Sequence, residues 1–445
     1  MASPLQAQTL KGFRDYLPEA MAPRQAMIRT IEDTFARHGF LPLQTPALEY
    51  EETLMGKYGE EGDKLLYRFE DNGQRRVALR YDLTVPLARV VAQHRAELQL
   101  PFRRYHIAPV WRAEKPQRGR FREFLQCDAD IAGVNTPLAD AEVLITGLQV
   151  LGSLGVDGAR LHLNHRDVLF GLLELRGITE KAQQIACIRA VDKLDKIGDA
   201  GVVAEIIREA GLDDQLARAV VGDFQPGGGL GDLQKTVDQA GENAGMLRGA
   251  VERLQQVLAL VAAAGLADKV CVDVSIARGL DYYTGIIYET RLTDPKVATI
   301  GAVMSGGRYD GLIGLFSKEQ VPAVGISLGL DRLLAALQEL ALLPVNLARI
   351  PVYIAVMNTE VAGPALHVAG LLRAAGLRVE VDLAGGKLGK QFERASKRGA
   401  AAVVVLGSDE VSSQTAQVKD LASGAQSPVP WAELAAYLHG LLGQA

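Results

Sequence analysis

Cysteine is scarce in this 445-residue chain: Cys127, Cys187 and Cys271 are its only three, too far apart for the C-x-x-C spacing of zinc or redox sites. A disulfide framework is excluded with it, and a reducing cytoplasm is the expected setting. Long hydrophobic runs are missing as well. The longest nearly unbroken apolar stretch, residues 257–267, falls short of the roughly 20 residues that span a bilayer, so it reads as a core helix and no membrane partner is expected. Residues 1–10 lack the basic start, apolar centre and cleavage site of a secretory signal. Nor is there an excess of positive charge. With 48 Lys+Arg against 53 Asp+Glu the net charge is −5, so a polyanionic partner has to be held by local patches. There is no Walker A sequence and no G-x-G-x-x-G after a strand, which excludes P-loop and Rossmann modes of nucleotide binding.

What is present is apolar material for several cores: 48% of residues are hydrophobic, and the length predicts two to four domains. Residues 20–38 carry helical spacing (Met27, Ile28, Ile31, Phe35) and stop at Gly39. Residues 77–85 alternate apolar with polar, the pattern of a strand that sets Asp82 and Thr84 on one face. A long hairpin follows, with Arg104, His106 and Arg112 on one parity of the first strand and Arg122, Phe124, Gln126, Asp128 and Asp130 on one parity of the second. Its opposite parity (Leu125, Cys127, Ala129, Ile131) is apolar and predicted to face the core. Seven Lys/Arg and one acid between Arg103 and Arg122 give a local charge of +6. Helical patterns dominate 172–264; strands return at 270–276, 282–290 and 323–328, with Ser305-Gly306-Gly307 read as a turn between the last two. One antiparallel sheet interrupted by a helical insertion is the economical reading. Past a linker at 344–351, strand and helix alternate in a small α/β domain.

Arginines on a strand face can be a solvated surface. Here they are interleaved with Phe124 and Gln126, a mixture that suits a nucleotide cleft: guanidinium forks match phosphate oxygens and an aromatic ring offers a base a stacking surface. Arg278 is followed by Asp281, Tyr282 and Tyr283, which sit between Gly279 and Gly285, and Ser305 to Gly311 has the same character; both read either as packing or as a site. Gly325-Ile326-Ser327-Leu328-Gly329 matches the G-x-S-x-G elbow of hydrolases, but it lacks the parallel sheet and oxyanion loop that motif requires. In the last domain Lys387, Lys390, Arg394 and Arg398 fall within about 80° of one another around a helix, a basic stripe suited to a phosphate backbone.

Together these motifs resemble the histidyl-tRNA synthetases, a family of class II aminoacyl-tRNA synthetases. Lys11 to Pro18 resembles the N-terminal signature, Gly39 to Pro46 motif 1, Leu79 to Pro86 the amino-acid loop and Trp111 to Gln126 motif 2. Arg278 to Gly285 and Ser305 to Leu312 resemble the two histidine-specific segments, and Gly325 to Leu333 motif 3. Asp82, Asp130 and Asp331 stand where one branch of the family has Glu. The resemblance implies an α+β fold: an antiparallel-sheet class II catalytic domain (1–171 and 265–343) split by a helical insertion (172–264), plus a C-terminal α/β anticodon-binding domain (351–445). It implies ATP-dependent ligation of histidine to its tRNA through histidyl-adenylate, with Mg²⁺ of unassigned ligands and a homodimer. Arg278 and Arg112 are the implied catalytic residues. ATP falls to Arg112, Glu114, Arg120, Phe124 and Arg332, and histidine to Asp82, Thr84, Gln126, Asp130, Tyr282, Tyr283 and Tyr309. Gln117, Arg118, Lys387, Lys390, Arg394 and Arg398 are implied tRNA contacts, and the insertion a tRNA clamp. The alternative is a non-catalytic regulatory paralog of histidine biosynthesis that binds histidine.

Overall fold

The computed structural model describes residues 5–116, 119–277, 282–344 and 347–443. Contacts divide the chain into two units, 1–15 with 24–343 and 16–23 with 344–445.

Eleven strands belong to the first unit: β1 (Leu41–Pro42), β2 (Leu48–Tyr50), β3 (Arg68–Glu70), β4 (Arg76–Leu79), β5 (Phe102–Trp111), β6 (Glu123–Ala132), β7 (Ala159–His165), β8 (Val270–Val272), β9 (Ile286–Leu292), β10 (Met304–Arg308) and β11 (Ala323–Gly329). Eight of them form one sheet in the order β1-β5-β6-β11-β10-β9-β7-β8, antiparallel except for the pairs β1/β5 and β7/β8. Strands from both sides of the helical segment are interleaved: β6 pairs with β11, and β7 with β9. The remaining three make a small sheet in the order β2-β4-β3.

The hairpin β5/β6 is in register from Phe102↔Ala132 to Trp111↔Glu123, so its two parities face opposite sides of the sheet. Cys127, Ala129 and Ile131 join the main apolar core, as their parity predicts. That core also takes Met27, Ile31 and Phe35 from the Pro18–Arg37 helix, which is followed by Gly39 at φ +74°. Helices of the 172–264 segment share it through Cys187, Ile206, Leu247 and Leu254. The expected boundary at 171/172 falls inside the helix Arg166–Leu175, which is continuous across it.

Two local expectations are corrected. The alternating stretch 77–85 is a strand only as far as Leu79; a helix begins at Thr84, its first turn tied by the Val85 N–H donating to Asp82 Oδ1 at 3.1 Å. Ser305-Gly306-Gly307 is not a turn but the middle of β10. There a Cβ on Gly306 would overlap the Gly325 carbonyl and the Tyr288 hydroxyl, so only glycine lets β9, β10 and β11 lie together.

The second unit holds a sheet of β12 (Val352–Val356), β13 (Val379–Val381), β14 (Ala402–Leu406), β15 (Thr415–Asp420) and β16 (Gln426–Pro430), ordered β13-β12-β14-β15-β16. The helices Ala362–Ala374, Leu388–Lys397 and Trp431–Leu442 match the sequence pattern, whereas β15 and β16 were not visible in it.

Candidate active site

Small side chains on the central strands open one face of the large sheet. Directly paired residues point to the same side, so Asp128 on β6 shares a row with Ser327 on β11 and Ser305 on β10. The next row carries Asp130, Gly325 and Gly307. A Cβ on Gly325 would overlap Asp130 Oδ1 and one on Gly307 would overlap the Tyr283 ring. The two glycines thus make room for the Asp130 carboxyl and the Tyr283 ring to lie across the sheet. Above this floor is a cavity of about 540 Å³.

Residues distant in sequence line it: Asp82 and Thr84, then Arg112, Glu114, Arg120, Phe124 and Gln126, then Tyr282 and Tyr283, then Ser327 and Arg332. The Arg112 guanidinium lies between the Tyr81 ring (4.3 Å) and the Phe124 ring (5.1 Å), and its Nε donates to the Tyr81 carbonyl at 3.1 Å. Arg332 Nη1 donates to the Ala302 carbonyl at 2.5 Å. Phe124 thus lies beside the Arg112 guanidinium, and Arg332 lines the same cavity.

On the other side of the cavity the groups are acidic and phenolic. Asp82 is buried, accepting from Tyr58 Oη at 3.0 Å; burial raises its pKa, against the pull of the Val85 N–H, Arg112 and Tyr58. Gln126 Nε2 donates to Ser327 Oγ at 2.5 Å while its buried Oε1 has no hydrogen-bond partner among the described residues. The Tyr282 and Tyr283 rings meet at 4.6 Å, and burial keeps both phenols neutral by raising their pKa well above the ordinary tyrosine value.

Asp130 and Tyr309 are placed differently from expectation. Neither lines the cavity; both are buried behind its wall, where Tyr309 Oη donates to Asp130 Oδ1. Arg104 Nη2 approaches Asp130 Oδ2 at 2.8 Å, an ion pair without hydrogen-bond alignment, and donates instead to the Leu83 carbonyl at 3.1 Å. Arg278, Gln117 and Arg118 lie outside the described residues.

The basic hairpin patch is also corrected. Arg103 pairs with Glu142 at 3.0 Å, Arg104 is buried, and Arg122 donates to the carbonyls of Glu114 and Lys11, pinning the N-terminal segment to the hairpin. Of the seven cations counted there, Arg112 and Arg120 line the cavity. In the C-terminal stripe Arg394 pairs with Asp382 at 2.7 Å and Arg398 with Glu380 at 3.3 Å. Lys387 and Lys390 are exposed and enter no ion pair among the described residues.

Several lining residues escaped sequence reasoning. Tyr58 comes from a stretch with no motif, Tyr81 from within the amino-acid loop with no role read for it, and Asp192 and Lys196 from the helical insertion. Asp331, within motif 3, lines the cavity; it is buried against Arg14 at 2.9 Å and Arg24 at 3.1 Å and accepts from Leu125 N at 2.9 Å, so it also braces the site. Ser327, the serine of the hydrolase-like motif, is a mid-strand residue bonded to Gln126, not a nucleophile elbow. Among the described residues no group of three or more His, Cys, Asp or Glu is arranged to hold a metal ion, and no helix is long and apolar enough to cross a membrane.

A sequence model of histidyl-tRNA synthetase matches residues 12–333, and one of an anticodon-binding domain matches 351–441. A protein of Rhodopirellula baltica named histidine--tRNA ligase is 44% identical over 420 residues, 94% of each chain. A protein of the same name from Wolinella succinogenes is 40% identical over 98% of each chain. The crystal structure of histidyl-tRNA synthetase from Nostoc sp. PCC 7120 superposes with a TM-score of 0.85 at 33% identity, covering 98% of this chain and 99% of that one. With both segments matched and relatives aligned from end to end, this chain belongs to the histidyl-tRNA synthetase family.

Proposed function

We propose that this cavity carries out both steps of tRNA charging with histidine. The chain is a histidine--tRNA ligase, and the regulatory-paralog alternative is not favoured: its relatives over nearly the full length are ligases, and the anticodon-binding domain is present. In the first step a carboxylate oxygen of histidine attacks the α-phosphorus of ATP, and pyrophosphate leaves. In the second a ribose hydroxyl at the tRNA 3′ end attacks the acyl carbon, and AMP leaves.

The observation that carries the reading is that one cavity joins a guanidinium–aromatic half (Arg112, Phe124, Arg332) to a carboxylate–amide half (Asp82, Thr84, Gln126). Adenine stacks on Phe124 with Arg332 on its other face and Glu114 at its edge, and Arg120 meets the phosphates. Arg112, with Arg278, neutralises charge that grows on the α-phosphoryl oxygens in the transition state; one preorganised donor of this kind typically contributes about 10²–10³ in rate. Asp82 and Gln126 receive the α-ammonium with Thr84, and that cation restores the charged form of Asp82 that burial disfavours. Tyr283, beside Tyr282, recognises the imidazole, with Asp130 and its partner Tyr309 buried behind that wall and supporting it. Mg²⁺ brought with ATP would supply screening of the triphosphate charge; among the described residues no group of three or more His, Cys, Asp or Glu is arranged to hold it.

Lys387 and Lys390, with Arg394, Arg398, Gln117 and Arg118, are the proposed tRNA contacts. A homodimer is supported by the three-stranded sheet, where Tyr50, Val77 and Phe69 lie in one row; Leu48 shares their face, and Leu48, Tyr50 and Phe69 are exposed. Cytoplasmic location follows from the tRNA substrate. The test is ATP–pyrophosphate exchange: it is expected only with histidine, and to fall at least 100-fold in Arg112→Ala. Histidine binding without exchange in the unmutated protein would refute the reading.

A further inference from the structure

Two residues where β7 runs into the helix Arg166–Leu175 hold the stretch that carries Tyr282 and Tyr283. Asn164 is fully buried, and its amide uses both protons on carbonyls that precede residues 278–281: Nδ2 donates to Val274 at 3.2 Å and to Ile276 at 2.8 Å. Arg166 holds the other side. Its backbone N–H donates to the Gly285 carbonyl at 2.8 Å, and its Nη1 donates to the Tyr283 carbonyl. The two holds are joined through His165, whose N–H donates to Asn164 Oδ1 at 2.8 Å and whose Nδ1 caps the helix by accepting from Asp167 N at 3.1 Å. On the far side Thr284 N donates to the Arg308 carbonyl at 2.7 Å, so β10 secures the same stretch from the sheet.

Arg166 is itself pre-oriented. Its guanidinium lies over the Phe170 ring at 5.3 Å, one turn along the same helix, and Phe170 is buried. What it holds is close to the substrate. The Tyr283 ring lies across the cavity floor where a Cβ on Gly307 would stand, so a small shift of the Tyr283 backbone carries the ring away from the imidazole it is proposed to recognise. Misplacement by about 1 Å from a change outside the chemistry can cost about 10²-fold. We infer that Arg166 is a positioning residue for histidine: it fixes the Tyr283 backbone, and with it the ring that meets the imidazole, without touching substrate. Arg166 does not line the cavity. The groups proposed for ATP stand on other elements, Arg112 and Phe124 on the β5/β6 hairpin and Arg332 on the helix after β11, so loss of this hold falls on one substrate.

The inference rests on the ligase reading, and the experiment separates the two. The histidine dissociation constant is measured by calorimetry without ATP on the full-length protein, and KM for histidine and for ATP by pyrophosphate exchange. Arg166→Met, which keeps a chain over Phe170 but no donor, is expected to raise the histidine dissociation constant and KM at least tenfold, with KM for ATP within twofold of the parent. Arg166→Lys returns a donor and is expected to bring the histidine KM back to within threefold. Asn164→Ala, at the other end of the stretch, should also weaken histidine at least tenfold, and it carries the test if Arg166→Met does not fold. Lys181→Ala, whose ammonium lies 3.6 Å from the centre of the same Phe170 ring, should leave histidine binding unchanged. Histidine binding unaltered in Arg166→Met, or KM for both substrates raised alike, overturns the inference. If the unmutated protein shows no histidine-dependent exchange, the ligase reading fails, while the histidine dissociation constants still decide the role of Arg166.

Discussion

Asp140→Ala is expected to remove several kcal/mol of stability through a residue that touches no substrate. Asp140 is completely buried and accepts from two arginines: Arg308 through Nε at 2.9 Å and Nη2 at 2.5 Å, and Arg253 through Nε at 2.8 Å, with Nη2 at 2.7 Å. Removing the carboxylate strands both, but unequally. The Arg253 side chain is 19% exposed and can turn to water, whereas Arg308, at 3%, keeps among the described residues Asp310 at 3.0 Å and the Val134 carbonyl at 3.2 Å. Breaking a buried pair from one side typically costs about 3–5 kcal/mol. In a unit of roughly 330 residues the unfolding entropy, at about 2.1 cal/mol/K per residue, converts this to a melting shift of about 4–7 °C. Arg253→Met, which leaves Arg308 paired, should cost about 1 kcal/mol, a shift below about 2 °C. Scanning calorimetry without ligands checks both. An Asp140→Ala protein melting within 1 °C of its parent, or an Arg253→Met protein falling further than Asp140→Ala, would refute the reasoning.

Gly306→Ala should cost about 3 kcal/mol or more, because its methyl would meet a backbone carbonyl that cannot move aside; soluble yield and melting temperature report it. His162 is held by Asp273 at 2.8 Å, with Cys271 beside it, and these raise its pKa to about 9. A raised folded-state pKa stabilises fully below the unfolded value near 6.5 and is lost as pH rises to about 9. The stability gap between the parent and His162→Gln should thus be largest below pH 6.5, about 1–2 kcal/mol after discounting for partial exposure, and shrink towards pH 9 in urea titrations. Lys387→Ala and Lys390→Ala should each weaken tRNA binding and lower its salt slope by about 1, with histidine-dependent exchange unchanged.

The sequence made the residue types of the site legible more reliably than their reasons for being there. Asp82 and Thr84 do line one cavity, yet not by sharing a strand face: the chain turns into a helix at Thr84, and Asp82 is anchored by the Val85 N–H. Alternation over 77–85 could not reveal this, since a short strand followed by a helix start leaves the same apolar spacing as a longer strand. Charge counting failed for a related reason. Summing Lys and Arg over 103–122 treats every cation as available, but Arg103, Arg104 and Arg122 are consumed by a carboxylate, by burial and by backbone carbonyls. The glycines of β10 read as turn residues because their purpose lies across the sheet, where the Tyr283 ring occupies the space a Gly307 side chain would fill, as the Asp130 carboxyl does for Gly325 of β11. Such cross-strand complementarity depends on register, and register is set by partners hundreds of positions away. What was legible was local: hairpin parity, the Gly39 stop, the C-terminal βα alternation. What was not was which polar groups the fold would spend on holding itself together, and that difference decides which arginines and aspartates remain for substrate.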